Sequence, residues 1–219
     1  RAATFVSPSA SRSLAFFFND TATPEIYTNV DTLSLHDALP ISHASSFAAA
    51  IRSAGRENPG VILIGELRTN ETMKMALQLA SYGVQGFGTV HTNSAPATIE
   101  RIVNSFPNDE QPQVRGMLAE SLAGIVAQQL LRTADGAGRV AAHEILVGST
   151  AVASIIREAK TFQLHSLMQA GRGQGMQTMD MALEQFVRAG TVDFQAALEK
   201  AEDKDAFKKT FAKPAQTAP

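Results

Sequence analysis

An α/β fold built on a parallel sheet is what the sequence predicts, and three observations carry that reading. Short aliphatic runs alternate with helical segments, the runs are bounded by Gly, Asn and Pro, and the pattern after Gly148 is helical to the end. The 219 residues are 44% hydrophobic and 18% charged, with a formal net charge of −2. That balance is globular and excludes a disordered or collagen-like polymer. Near-neutrality argues against a strongly basic nucleic-acid binder, which draws its affinity from neutralising phosphates. No apolar run approaches the roughly 18 residues that span a bilayer. With no Cys in the sequence, a disulfide framework, a thiolate zinc site and a catalytic thiol are all excluded within it, which fits a reducing compartment.

Residues 1–43 show no sustained period, and Pro24 and Pro40 interrupt them. The stretch from Phe16 to Ser42, FFFNDTATPEIYTNVDTLSLHDALPIS, resembles the conceptual translation of sequencing-adapter DNA, so 1–43 is expected to be an irregular, non-native leader. From Ala44 the chain becomes regular. Phe47, Ile51 and Ala54 recur at helical spacing until Asn58–Pro59 stops them. Val61–Ile64 is a continuous apolar run, expected to be a strand buried on both faces. Asn70 is the expected N-cap of a helix carrying Met73, Ala76, Leu77 and Ala80, closed by Gly83. Phe87–Val90 reads as a second strand, and Ser94 as the cap of a helix with Pro96 in its first turn.

A longer helix is predicted from about Asp109 to Ala127, with Val114, Met117, Leu118, Ser121, Leu122 and Ile125 on one face. Asp135–Gly136 between Gln128–Leu131 and Arg139–Val147 predicts a hairpin. Ser149 or Thr150, Thr161, Thr178 and Asp193 then start successive helices, and residues 208–219 read as a disordered tail.

Three segments could carry chemistry. Val61–Ile64 delivers Gly65 and Glu66 to a strand's carboxyl end, where parallel sheets build sites and where nucleotide hydrolases place an acidic group. The alternative is a solvated Glu at a strand–loop transition. Phe87–Val90 likewise ends in a polar cluster with His91, so neighbouring strands would bring Glu66 and His91 to one edge, where the imidazole can sense a phosphate. Alone, His91 reads as a loop histidine. His143 and Glu144 are adjacent on a strand and point to opposite faces, so they are no local pair, and no second His makes them a zinc motif. The expected arrangement is one packed and one exposed. Gly171–Gly175 has no strand before it and no Lys-Ser or Lys-Thr after it, so it reads as a flexible connection between helices.

Taken in order, these pieces resemble the type II/IV secretion ATPase family, on its pilus-retraction (twitching-motility) branch. NPGVILIGELRTNETM (58–73) is similar to the family's Walker B segment, GTVHTNSA (88–95) to its His box, and RVAAHEIL (139–146) to its AxHEI element. AVASIIRE (151–158) and GMQTMD (175–180) follow in family order. The resemblance implies an incomplete RecA-like P-loop core over 44–147 followed by a C-terminal helical region over 148–207. It also implies a homo-hexamer that uses ATP and Mg²⁺, works at the cytoplasmic face of the bacterial inner membrane and docks on an inner-membrane pilus platform protein.

Carried over by motif, Glu66 is the carboxylate that polarises the attacking water, and His91 lies near the γ-phosphate. Gly65 and Arg68 complete the nucleotide-contacting set, Arg68 at the site edge or a subunit interface. The AAHEI and IIRE stretches are implied to serve motor output and subunit packing. No G-x-x-x-x-G-K-[ST] occurs anywhere in the 219 residues, nor does the acidic motif expected before Walker B. An N-terminally truncated motor that is itself inactive is therefore expected. The alternative is a non-catalytic interaction module docking on a motor ring or pilus machinery. Asn58, Gly60 and Thr69 depart from the commonest family residues toward an accessory paralogue.

Overall fold

A computed structural model of the chain describes Leu14–Phe17, Arg56 and residues 60–212. The expected helix around Phe47–Ala54, most of the irregular segment 1–43 and the end of the tail lie outside the described residues. The elements in chain order are β1 (Leu14–Phe17), β2 (Val61–Ile64), α1 (Asn70–Ser81), β3 (Gln85–Thr89), α2 (Ala95–Asn104) and α3 (Gln111–Ser121). The hairpin β4 (Leu122–Arg132) and β5 (Arg139–Val147) follows, then α4 (Thr150–Arg157), α5 (Leu164–Ala170), α6 (Met179–Arg188), α7 (Phe194–Lys200) and α8 (Lys204–Phe211).

The sheet runs β2-β3-β1-β4-β5. β2 pairs parallel with β3, Ile64 opposite Gly88, and α1 is the crossover between them, as the strand–helix alternation predicts. β1 lies parallel between β3 and β4, with Phe16 opposite both Gly88 and Ile125. Four residues of the stretch expected to be irregular thus form a central strand. Their aliphatic and aromatic run suits a position flanked by strands on both sides.

The helix expected to reach Ala127 ends at Ser121, and the chain passes directly into β4. Leu122 and Ile125 are buried as expected, but on a strand. Their spacing fits a helical face, and the antiparallel ladder to β5, running from Gly124–Val147 to Arg132–Arg139, decides the matter. Gly136, at φ 70°, supplies the left-handed turn residue of that hairpin. Gly124 faces the partner strand so closely that a Cβ would come within 2.9 Å of the Leu146 carbonyl oxygen.

The described residues form two cores. The first joins Ile64, Leu122, Ile125 and Leu146 of the sheet to Leu77, Ile99, Leu118, Ile156 and Leu164 on the helices. The second packs Leu131 and Ala142, at the far end of the hairpin, against Met179, Leu183, Leu198 and Phe207. Helices α4 and α5 therefore belong to the sheet's core, and the separate helical layer begins at α6. The tail expected to be disordered from residue 208 is helical through Phe211, capped by Asp203 and packed by a Phe194–Phe207–Phe211 aromatic cluster. The 171–175 segment is a 3₁₀ turn ending in Gly175 at φ 84°.

β2 departs from expectation in its burial. Ile62 and Ile64 face the core, whereas Val61 and Leu63 on the opposite face are 55% and 57% exposed. Among the described residues the strand is the sheet's edge, so its outer backbone groups and apolar side chains together form a template for association. Leu63→Lys is expected to raise the monomeric soluble fraction of the purified chain in sedimentation. Gly124→Ala is expected to lower stability by about 1–3 kcal/mol in denaturant titration, because backbone must move to admit the methyl group.

Candidate functional site

Parallel register places the residues just beyond Ile64 and Gly88 side by side at the carboxyl edge of the sheet. Two bonds fasten the loops there. The Leu67 N–H donates to the Thr89 carbonyl at 2.9 Å, and the Thr89 hydroxyl donates to the carbonyl of Gly65. The chain beyond β2 is therefore led across β3, and Glu66 meets His91: Nε2 lies 3.3 Å from Glu66 Oε1. Arg68 closes the group, its Nε 2.6 Å from the same oxygen.

The side chains differ in access. Glu66 is 29% exposed, His91 55% and Arg68 76%, so the carboxylate sits behind two more open nitrogen groups. The hydrogen bond and charge of Arg68, with a smaller contribution from His91, hold the Glu66 carboxyl below the usual carboxylate range. Arg68 is correspondingly raised. Glu66 is thus a fixed negative charge at neutral pH, flanked by an open guanidinium and an open imidazole.

The loop that carries His91 is anchored at several points. Arg101 on α2 donates from Nη1 to the His91 carbonyl at 3.0 Å, and Thr92 bonds Thr98 hydroxyl to hydroxyl at 2.7 Å. Ser94 caps α2 by accepting from the Ala97 N–H, as predicted. On the other side, α1 is capped by Thr69, one residue before the expected Asn70. Lys74, on α1, reaches Glu110 at 2.7 Å.

His143 and Glu144 point to opposite faces, as strand alternation requires. His143 is half-buried, its Nε2 3.0 Å from Gln128 Oε1, and burial lowers its pKa. Glu144, contrary to the expected simple packed–exposed split, is fully buried and connected: it accepts from the Ala95 N–H at 2.7 Å and the Met179 N–H at 3.2 Å. Sequence reasoning weighed Glu144 and set it aside as no local site, and did not single out Arg101. The alternation of Ala142, Glu144 and Leu146 on one strand face was the available signal for Glu144; nothing in the sequence marks Arg101.

The geometry can now be set beside known proteins. A model of the family described as type II/IV secretion system protein matches residues 38–137. Over that stretch the chain is similar to the type II/IV secretion family. The twitching motility protein of Neisseria gonorrhoeae is 48% identical over 165 residues, which cover 75% of this chain and 44% of that protein. The type IV pilus retraction ATPase PilT of Pseudomonas aeruginosa is 47% identical over 161 residues, covering 74% of this chain and 46% of that protein.

Among solved structures, that of the pilus retraction motor PilT with bound ADP has a TM-score of 0.78 at 34% identity, covering 91% of this chain and 64% of that one. The fold is a partial RecA-like core with appended helices. The chain spans less than half the length of the two curated secretion-family relatives. Among the described residues, no helix is long and apolar enough to cross a membrane.

Burial drives the Glu144 pKa up to about 7 from an ordinary value of 4.5, against the opposing pull of its two backbone donors. A carboxyl raised on folding contributes stability that is complete below about 4.5 and is lost as the pH rises through about 7. Glu144→Gln is therefore expected to gain on the natural chain by on the order of 3 kcal/mol as the pH climbs through that window, read as the difference between their unfolding free energies.

Proposed function

We propose that this chain is the C-terminal portion of an ATP-hydrolysing motor that powers type IV pilus retraction. The observation carrying this reading is the convergence of Glu66, Arg68 and His91 on one oxygen-centred cluster at the carboxyl edge of a parallel sheet, with 2.6 and 3.3 Å contacts. Phosphoryl transfer needs chiefly positioning and charge, and this cluster offers both.

The donor set fits one end of a nucleotide. Arg68 and His91 present open nitrogen groups to an anionic phosphate oxygen, and Gly65 leaves the backbone accessible beside them, since a Cβ there would meet nothing within 4 Å. Glu66 supplies the carboxylate that orients and polarises a water. Its lowered pKa keeps it ionised, so it acts as a fixed hydrogen-bond acceptor that orients that water. Mg²⁺ with ATP would supply neutralisation of the phosphate charge. The other end of the nucleotide lacks a partner in the sequence, because no G-x-x-x-x-G-K-[ST] is present to hold the β- and γ-phosphates.

His91 fits the role of reporting phosphate state, because its loop is tied through Arg101, Thr98 and Ser94 to α2 and so transmits displacement to a rigid helix. The assembly that goes with this reading is a homo-hexamer at the cytoplasmic face of the inner membrane, docked on a pilus platform protein. The missing phosphate loop favours a second reading, an interaction module that docks on a motor ring. The genomic DNA upstream of the Ala44 codon distinguishes them: an in-frame GxxxxGKT supports the motor, and a native start codon near Ala44 supports the module.

The 219-residue chain is expected to show no binding of a fluorescent ATP analogue at micromolar concentration; micromolar affinity would overturn the assignment of phosphate grip to an upstream segment. With a family-type phosphate loop restored upstream, Glu66→Gln is expected to reduce ATP turnover by about 10²–10⁴-fold while nucleotide binding persists. Loss of binding with turnover per bound nucleotide unchanged would remove Glu66 from the chemical step.

A further inference from the structure

The feature that the functional reading leaves unused is Glu144, a carboxylate with no solvent exposure between two helix N-termini. Ala95 is the first residue of α2 and Met179 the first of α6. Each helix has its own hydroxyl cap, Ser94 accepting from the Ala97 N–H and Thr178 from the Met181 N–H. What neither cap reaches is the first N–H, and Glu144 takes both: Oε1 accepts from Ala95 at 2.7 Å, Oε2 from Met179 at 3.2 Å. One side chain of β5 thus completes the capping of a helix from each of the two cores.

The two helices have different affiliations. α2 continues directly from the loop that bears His91, and α6 opens the separate helical layer that packs on the far end of the hairpin. Between them lies a cleft lined by Asn93, Ser94, Gln129, Met179, Lys200 and Glu202 beside Glu144. The charged groups facing Glu144 from other elements are Glu202, which raises it, and His165 of α5, which lowers it. Lys200 lines the cleft, and Asp180 sits beside Met179 with its oxygens taken by the N–H groups of Glu202 and Asp203. His165 Nδ1 and Glu202 Oε2 are themselves 3.3 Å apart.

We propose that Glu144 is a positioning residue that works as a two-state clasp: ionised, it fastens α6 to the base of the His91 loop, and protonated, it releases α6 while keeping α2. A carboxylate has two acceptor oxygens, whereas a carboxylic acid has one strong acceptor and a hydroxyl. The proton goes to the oxygen with the longer, weaker bond, and the Met179 N–H loses its partner. Burial and Glu202 place this exchange near neutral pH, with His165 opposing them. The clasp rests on contacts within the chain, and only its consequence for a phosphate sensor rests on the functional reading given above.

The test is site-resolved amide hydrogen exchange on the intact chain, without nucleotide, across pH values on both sides of about 7. After correction for the intrinsic rate, the Met179 amide is expected to lose about tenfold in protection as the pH falls through the step, with Ala95 nearly unchanged. The Glu144 contribution to global stability moves the other way over that window, so a local release is separable from a general loosening. Glu144→Gln is expected to show low Met179 protection at every pH with no step. Glu202→Gln is expected to keep the step and shift it to lower pH, and this arm with the natural chain decides the matter should Glu144→Gln fail to fold. A natural chain with no step at Met179, or a step unmoved by Glu202→Gln, overturns the clasp. Failure of nucleotide binding leaves this result untouched, which keeps the two readings independent.

Discussion

The Leu67 N–H bond to the Thr89 carbonyl, with the Thr89 hydroxyl returning to Gly65, is the constraint from which the site follows. β2 is four residues long and lies at an open edge, so its own ladder does little to aim the loop beyond it. These cross-links extend the pairing past Ile64 and commit the backbone to run over β3. Glu66 can then reach His91, and Arg68 folds back on the same carboxylate. Without them the carboxylate would sit on a solvated strand end, the unremarkable alternative that the hexapeptide by itself allows. A hydrogen bond contributes only about 1 kcal/mol net, but here its worth lies in direction.

That distinction explains what could be read from residues alone. Alternation of aliphatic runs and helices, with Ser94, Ser149 and Thr178 as caps, was legible because each signal is local. The meeting of Glu66 and His91 was legible because parallel neighbours share a carboxyl edge. Leu122 and Ile125 misled because a helix entering a strand without a loop offers no punctuation, and their i, i+3 spacing is that of a helical face rather than of a regular strand. The two-faced burial expected of Val61–Ile64 failed for a non-local reason: an edge position is a property of the whole sheet. β1 escaped notice because its four residues sit in a stretch without period, and only pairing on both sides defines it.

Glu144 marks the deeper limit. Strand alternation says that one of His143 and Glu144 is packed without saying which, and burying a carboxylate is costly. The compensation comes from Ala95 and Met179, 49 and 35 residues distant, whose N–H groups are unsatisfied until both helices dock. Helix N-termini carry partial positive charge, so two of them aimed at one carboxylate offset part of its desolvation. Burial still wins, since the pKa settles near 7. A group left in that balance is sensitive to whatever nears it, and Glu202 and His165 are the neighbours that tip it.

The site and the clasp are then two ends of one load path. His91 stands at the outer end of a loop whose inner end is the first turn of α2, and that turn is held by Glu144 on β5. β5 in turn forms an unbroken antiparallel ladder with β4, and the second core sits on the hairpin's far half. A displacement of His91 that pulls on α2 must either stretch the 2.7 Å bond at Ala95 or carry β5 with it. The longer bond at Met179 is the compliant member of the pair, so movement reaches α6 last and can be absorbed there. On the proposed reading as a phosphate-driven motor, the slip point would fall between the Glu66–His91 edge and the C-terminal helices, at a single side chain whose charge would decide whether it transmits or yields.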